Sequence, residues 1–440
     1  MDAMETRSAV THLLRRTSFG AHPDTVDLLS VDGYEAAVAA VCDRTPPDDA
    51  ADAVAVPTFD TAAILEGRRG DPEARRQAGR QAAAEVLALT SWWLRRMATS
   101  ERPLRERLTF HWHDHFATSV DKVKLAEVMF NQRTTVYERA FGTFELLAGA
   151  LVGDPAMLVW LDGNESTRQK PNENFAREFL ELFTLGLGHH GEQPFTEPDV
   201  LEAARAFTGW RIDRAALAGR VLPRRHDDGT KTVLGQTGPW ASADVVRLAT
   251  GHPACAPHVV SRLYSRFARP AGPTDPVVVD LAATFVASGL DIDTLVRSML
   301  LHPDFVAPAT RTALVKSPVD YVVGIARTLR VPLEDAHVAA LVRLGQVPFA
   351  PPDVAGWPSN EAWSSTASAL ERLDVATGFA ARADLASIEA LDAGERPAAL
   401  ARWLGIDAWS ATTAAALAAA AGEPVTAMAI ALSSPEFILA

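Results

Sequence analysis

The chain has 440 residues, 48% of them hydrophobic and 22% charged, a balance ordinary for a soluble globular protein and enough to bury a large core. Lysine and arginine number 42 against 55 acidic residues, and the net charge of −13 excludes the broad basic footprint of a nucleic-acid binder. Cys42 and Cys255 are too few for a disulfide framework. The first residues lack a secretion signal, and Gly422-Glu423-Pro424 breaks the apolar stretch 414–432, so the expected protein has no membrane span and resides in the cytoplasm.

Helical periodicity dominates from the start. Residues 73–99 run through Arg/Gln/Ala-rich sequence into Leu87, Leu89, Trp92, Trp93 and Leu94, and Pro103 opens a second helix through Leu104, Leu108 and Trp112. That helix leads into Phe110-His-Trp-His-Asp-His-Phe116, three of the chain's 12 histidines within five residues. On a regular helix His111 and His115 share a face, while His113 lies about 200° from either. Imidazoles beside carboxylates are a donor set for transition metals. Histidines packed and hydrogen-bonded beside tryptophan are the plain alternative.

Asp154-Pro155 reads as a cap and first turn. In residues 171–186, Pro-Asn-Glu-Asn-Phe-Ala-Arg-Glu-Phe-Leu-Glu-Leu-Phe-Thr-Leu-Gly, Glu173, Arg177, Glu181 and Glu178 span one arc of about 140° at helical spacing. Phe175, Phe179, Leu180, Leu182 and Phe183 fill the opposite arc. Ion pairing of Arg177 with Glu173 and Glu181 at i,i+4 is the surface reading of this face, and an acid–base site is the functional one. His189-His190 follow the Gly186-Leu-Gly188 stop and read as loop. Thr196, answered by Asp199, starts the next helix, which Gly209 ends.

Strand signals are confined to 220–235, where Asp228-Gly229 would turn a short hairpin and Pro223 restricts the first arm to an edge. His226 and Asp227 stand on that turn as a ligand or acid–base pair, or as plain turn chemistry. Small residues near 240–255 mark a boundary between an N-terminal helical lobe, 1–245, and a C-terminal one, 246–440. Alanine-rich 378–421 reads as surface helices. The expected fold is mainly α, a multi-helix array with at most one small β-hairpin. Phosphate-loop, dinucleotide-fingerprint, Gly-x-Ser-x-Gly and His-Glu-x-x-His patterns are absent.

Several stretches in order, His12-Leu-Leu-Arg-Arg-Thr-Ser-Phe-Gly20, Trp112-His-Asp-His-Phe-Ala-Thr-Ser119, 171–186, and Phe207-Thr-Gly-Trp210, resemble the bacterial domain-of-unknown-function 1800 family. His226-Asp227 with Lys231-Thr-Val-Leu-Gly235, Lys316-Ser-Pro-Val-Asp-Tyr-Val-Val-Gly324, Pro352-Asp-Val-Ala-Gly-Trp-Pro358 and Ser434-Pro-Glu-Phe437 extend the likeness over nearly the whole chain. The resemblance implies a mainly helical protein and a possible partner from the domain-of-unknown-function 1501 family, whose genes neighbour many members. Many members carry an export signal; none is read in the first residues here, so a periplasmic role is not expected. The family pattern favours Trp-His-x-His-Phe, so it selects His113 and His115 over His111 and requires the helix to end or bend near Asp114.

These readings together predict a metal-dependent hydrolase or oxidoreductase, its site between the 104–116 and 172–186 helices. His113, His115, Glu173 and Glu181 would ligate a divalent transition metal of open identity. Arg177, Glu178, His226 and Asp227 would act on a small-molecule or peptide substrate. The alternative is a binding or scaffold protein whose polar groups form a closed, satisfied network.

Overall fold

Aspartate or serine followed by proline opens helix after helix. Proline pre-sets the first helical φ, and the side chain before it accepts a backbone N–H that the helix leaves open. Asp71, Asp154, Asp275, Ser317 and Ser434 all cap in this way. The capping box expected at Thr196 and Asp199 also forms, with each side chain accepting the other's backbone N–H. The computed structural model, which describes residues 3–20, 22–188 and 193–439, is accordingly mainly helical. His189-His190 lie outside the described residues.

The elements that shape the interior are α1 (Ala3–Thr17), α2 (Pro72–Thr99), α3 (Pro103–His115), α4 (Ala126–Arg139) and α5 (Glu173–Glu178), which runs directly into a π-helix (Phe179–Leu185). After α6 (Glu197–Ala206) come two antiparallel hairpins, β1 (Trp210–Asp213) with β2 (Ala218–Val221) and β3 (Lys231–Val233) with β4 (Gln236–Gly238). Then follow α7 (Cys255–Phe267), α8 (Pro318–Leu329), α9 (Thr366–Ala380) and α10 (Pro424–Ser433).

The hairpins differ in detail from the expectation of one turning at Asp228-Gly229. Arg220 and Val221 pair back onto Arg211 and Trp210, so the 220–235 stretch is split between two hairpins. The second turns at Leu234-Gly235, both at positive φ (49° and 76°), the two-residue geometry whose twist matches its strands. Asp228-Gly229 sits in the loop before it, where Asp227 accepts the Gly229 N–H.

Two apolar cores flank α3. Leu104, Leu108 and Trp112 join Leu13, Phe144, Phe179 and Leu263 on one side. On the other, Phe110 joins Phe19, Trp93, Val322, Phe379 and Leu432. Between them Glu106 is fully buried. It accepts from Trp93 Nε1 at 2.9 Å, from Arg96 Nε at 2.9 Å and from Arg133, fastening α2, α3 and α4 together. Burial pushes its carboxyl up, but Arg133 and Arg96 outweigh burial and leave it below the usual 4.5.

Two close approaches bring distant segments together beside α3. At the end of α1, a Cβ on Gly324 would lie 2.6 Å from Phe19 O, so glycine lets α1 and α8 touch. The loop before α9 reaches Asp114 through Gly356, at φ +94°, where a Cβ would lie 2.3 Å from Asp114 Oδ1. Asp114 then accepts the Trp357 N–H at 2.8 Å.

Glu106→Gln leaves the buried Arg133 without its carboxylate and Arg96 with only the exposed Asp52, and urea unfolding should show a loss of about 3–5 kcal/mol. Because the folded carboxyl lies below its unfolded value, its contribution is present above about pH 4.5 and fades as pH falls, so wild type loses stability in acid while the variant loses less. Gly356→Ala should cost at least about 1–3 kcal/mol in the same assay, since it adds a side chain at positive φ against Asp114.

Candidate functional site

The histidine segment ends α3 as the family pattern requires, with Phe116 outside helical geometry. The three imidazoles then face three different surroundings. His113 accepts the Phe349 N–H at Nε2 (3.1 Å) inside a cage of Trp93, Phe349 and Trp357, and burial holds its pKa down at about 3. His115 Nε2 donates to Phe183 O at 2.9 Å, and His258 Nε2 donates to Leu182 O at 2.9 Å. Those carbonyls lie in the last turn of the π-helix, where the helix itself leaves acceptors open. His115 is thus a packing and capping residue.

Five cavities of the described residues are lined by none of His113, His115, Glu173, Arg177, Glu178 and Glu181. Arg177 makes a bidentate pair with Glu197 at the start of α6 (2.7 Å twice) and only a 3.8 Å contact with Glu173, whose side chain is 48% exposed. The switch to π-geometry at Phe179 also ends the regular spacing from which Glu181 was placed. Glu178 is half-buried, and burial, then Glu181, pushes its pKa up. His226 Nδ1 lies 3.0 Å from Thr208 O, and Asp227 accepts two bonds from Arg205 (2.8 and 3.2 Å). His226 and Asp227 therefore brace the hairpin on α6. Among the described residues no group of three or more His, Cys, Asp or Glu is placed to hold a metal ion, so the proposed ligand set does not fit one.

A different cavity, of about 300 Å³, opens on the face of α3 that carries Arg107, His111 and Asp114. Arg262 and Arg266 reach it from α7, Arg15 and Arg16 from α1, and Lys316 with Asp320 from the start of α8. Trp357 and Phe19 form apolar wall. Asp320 is shared by Arg107, which pairs with it closely, and Arg266 at 3.5 Å. Arg107 also donates to Arg16 O at 3.0 Å, Arg15 to Leu404 O at 2.9 Å and Arg16 to Thr310 O at 2.9 Å. Arg262 makes a 3.4 Å contact with Ala355 O. Lys316 Nζ lies 3.4 Å from the centre of the Phe437 ring.

At this cavity His111 Nε2 and Trp357 Nε1 are buried with no hydrogen-bond partner among the described residues. Burial, then Arg262 and Arg266, pushes the His111 pKa well down, so the imidazole is neutral. Burial pushes Asp114 up, against the opposing pull of Arg266, the Trp357 N–H and Arg262. Lys316 is pushed well down by burial and by Arg15, Arg372 and Arg16. The site therefore offers basic side chains in excess, a neutral imidazole with an unpartnered nitrogen and a carboxyl biased towards holding a proton.

Sequence reasoning set His111 aside and did not single out the arginines. The matched stretches carry a signal for part of this site: Arg15, Arg16, Asp114, Lys316, Asp320 and Trp357 lie in four of them and line this one cavity, whereas His111, Arg107, Arg262 and Arg266 lie outside them. No curated protein and no solved structure matches the chain. The family model described as "Protein of unknown function (DUF1800)" matches residues 12–439, and the chain belongs to that family.

Proposed function

We propose that this protein binds a small anionic substrate in the arginine-lined cavity and acts on it by proton transfer, with His111 as acceptor and Asp114 as donor. The observation that carries the reading is the make-up of the cavity wall: five arginines and a lysine line it against two aspartates. Cations are seldom buried in such excess without a counter-ion, because each loses hydration that only an opposite charge or dipole replaces. Arginine is suited to the task by its planar, always-charged fork. Asp114 and His111 are three residues apart on α3, close enough to address one bound molecule.

The scaffold reading draws support from a different region. Around Glu106 the charges are balanced by one another, a network of the protein's own groups that holds helices together. The cavity beyond it is open and carries orphaned polar atoms, which favours ligand binding there.

Thermal unfolding at fixed ionic strength, with chloride replaced in turn by phosphate, sulfate, malonate or acetate, tests the reading. At least one of these anions should raise the melting temperature, and Arg262→Gln should abolish the rise. No response to any of the four would refute it. Anion binding also favours cationic Lys316 and neutral Asp114, so it should take up protons. Affinity should then fall as pH rises between the ordinary carboxylate and ammonium ranges. Titration calorimetry in two buffers of different ionisation enthalpy should register the uptake, and Lys316→Met with Asp114→Asn should remove it.

A further inference from the structure

The cavity shows more than a preference for negative charge. Its donors arrive from several sides: α1, α3, α7, the segment entering α8 and the loop bearing Trp357. A carboxylate is flat and is satisfied by one or two forks in its plane, whereas a phosphoryl group presents three oxygens in three directions. The five arginines alone outnumber the two aspartates, so positive charge is in excess, and a dianion removes twice as much of it as a monoanion. The indole N–H of Trp357 can only donate, and it is buried without a partner, as an acceptor-rich ligand would require.

Shape and wall chemistry carry the argument past free phosphate. A cavity of about 300 Å³ is several times larger than one inorganic phosphate needs and lies at the lower end of the range for organic ligands. Phe19, Leu314, Trp357 and Pro358 supply an apolar side to it. The stack of Trp357 on Phe110, with ring centres 5.5 Å apart, fixes that wall.

We infer that the anion of the proposed function is the dianionic phosphoryl group of a small organic phosphate monoester, held by the arginines and the Trp357 N–H with its organic part against the Phe19 and Trp357 side. This rests on the anion-binding reading above and narrows it to one chemical class.

The test is titration calorimetry of the full chain with phenyl phosphate, inorganic phosphate, phenyl sulfate and malonate at one pH and ionic strength. Phenyl phosphate should bind at least about tenfold tighter than phenyl sulfate, which carries one charge, and than malonate. It should also bind more tightly than inorganic phosphate, which has no organic group. Arg262→Gln, whose side chain makes only a long contact with Ala355 O, should weaken phenyl phosphate about tenfold or more while the protein stays folded. Trp357→Phe keeps the ring and removes the N–H, and should weaken it severalfold. Malonate or phenyl sulfate binding as well as phenyl phosphate would overturn the phosphate assignment and leave the anion reading standing. Inorganic phosphate binding as tightly as the ester would overturn the organic part. Unchanged binding in folded Arg262→Gln would overturn the location, and failure of all four anions to bind would sink both readings.

Discussion

A carboxylate with no access to water, gripped by two guanidinium groups and an indole, decides where α3 sits. Glu106 is tolerable in the interior only while Arg96, Arg133 and Trp93 surround it, so α2, α3 and α4 have to assemble together. Seven of the thirteen residues of α3 are ionisable, yet the helix runs between two apolar cores. Every one of those groups must find its own compensation, and the rest of the fold is arranged to provide it.

The compensations are of two kinds, and the difference between them separates structure from function. At Glu106 the partners belong to the protein and balance its charge. On the face bearing His111 and Asp114 the protein supplies only part of what is needed: Asp320 answers two arginines, backbone carbonyls answer others, and charge remains in excess. A ligand that is itself an anion completes that set. Gly324 and Gly356 matter because they let the chain come close enough to build the walls from α1, α8 and the Trp357 loop.

The three histidines of α3 show how little residue type says about role. His113 accepts a backbone N–H within an aromatic cage, His115 donates to a π-helix carbonyl, and His111 faces the cavity with Nε2 unused. All three are buried and pushed towards the neutral form. What they touch distinguishes them, and that is set largely by segments distant in the chain.

Much of the architecture was legible in local sequence because its causes are local. The Asp-Pro and Ser-Pro starts, the Thr196–Asp199 capping box and the long periodic run ending at Thr99 each depend on residues within a few positions. The mainly helical fold and family membership follow from such stretches and their order. The hairpin turn was misplaced because Arg220 and Val221 chose a partner strand upstream, and Glu181 because the helix changed its pitch where two distant imidazoles take its carbonyls. The cavity was invisible for the same reason in stronger form. Arg15, Arg107, Arg262 and Lys316 stand on four separate elements, and their charges acquire meaning only when burial strips away water and sets them around one space. Hydrogen bonding along the backbone is short-ranged and can be read from neighbours, whereas electrostatics in a desolvated pocket depends on who meets whom across the fold.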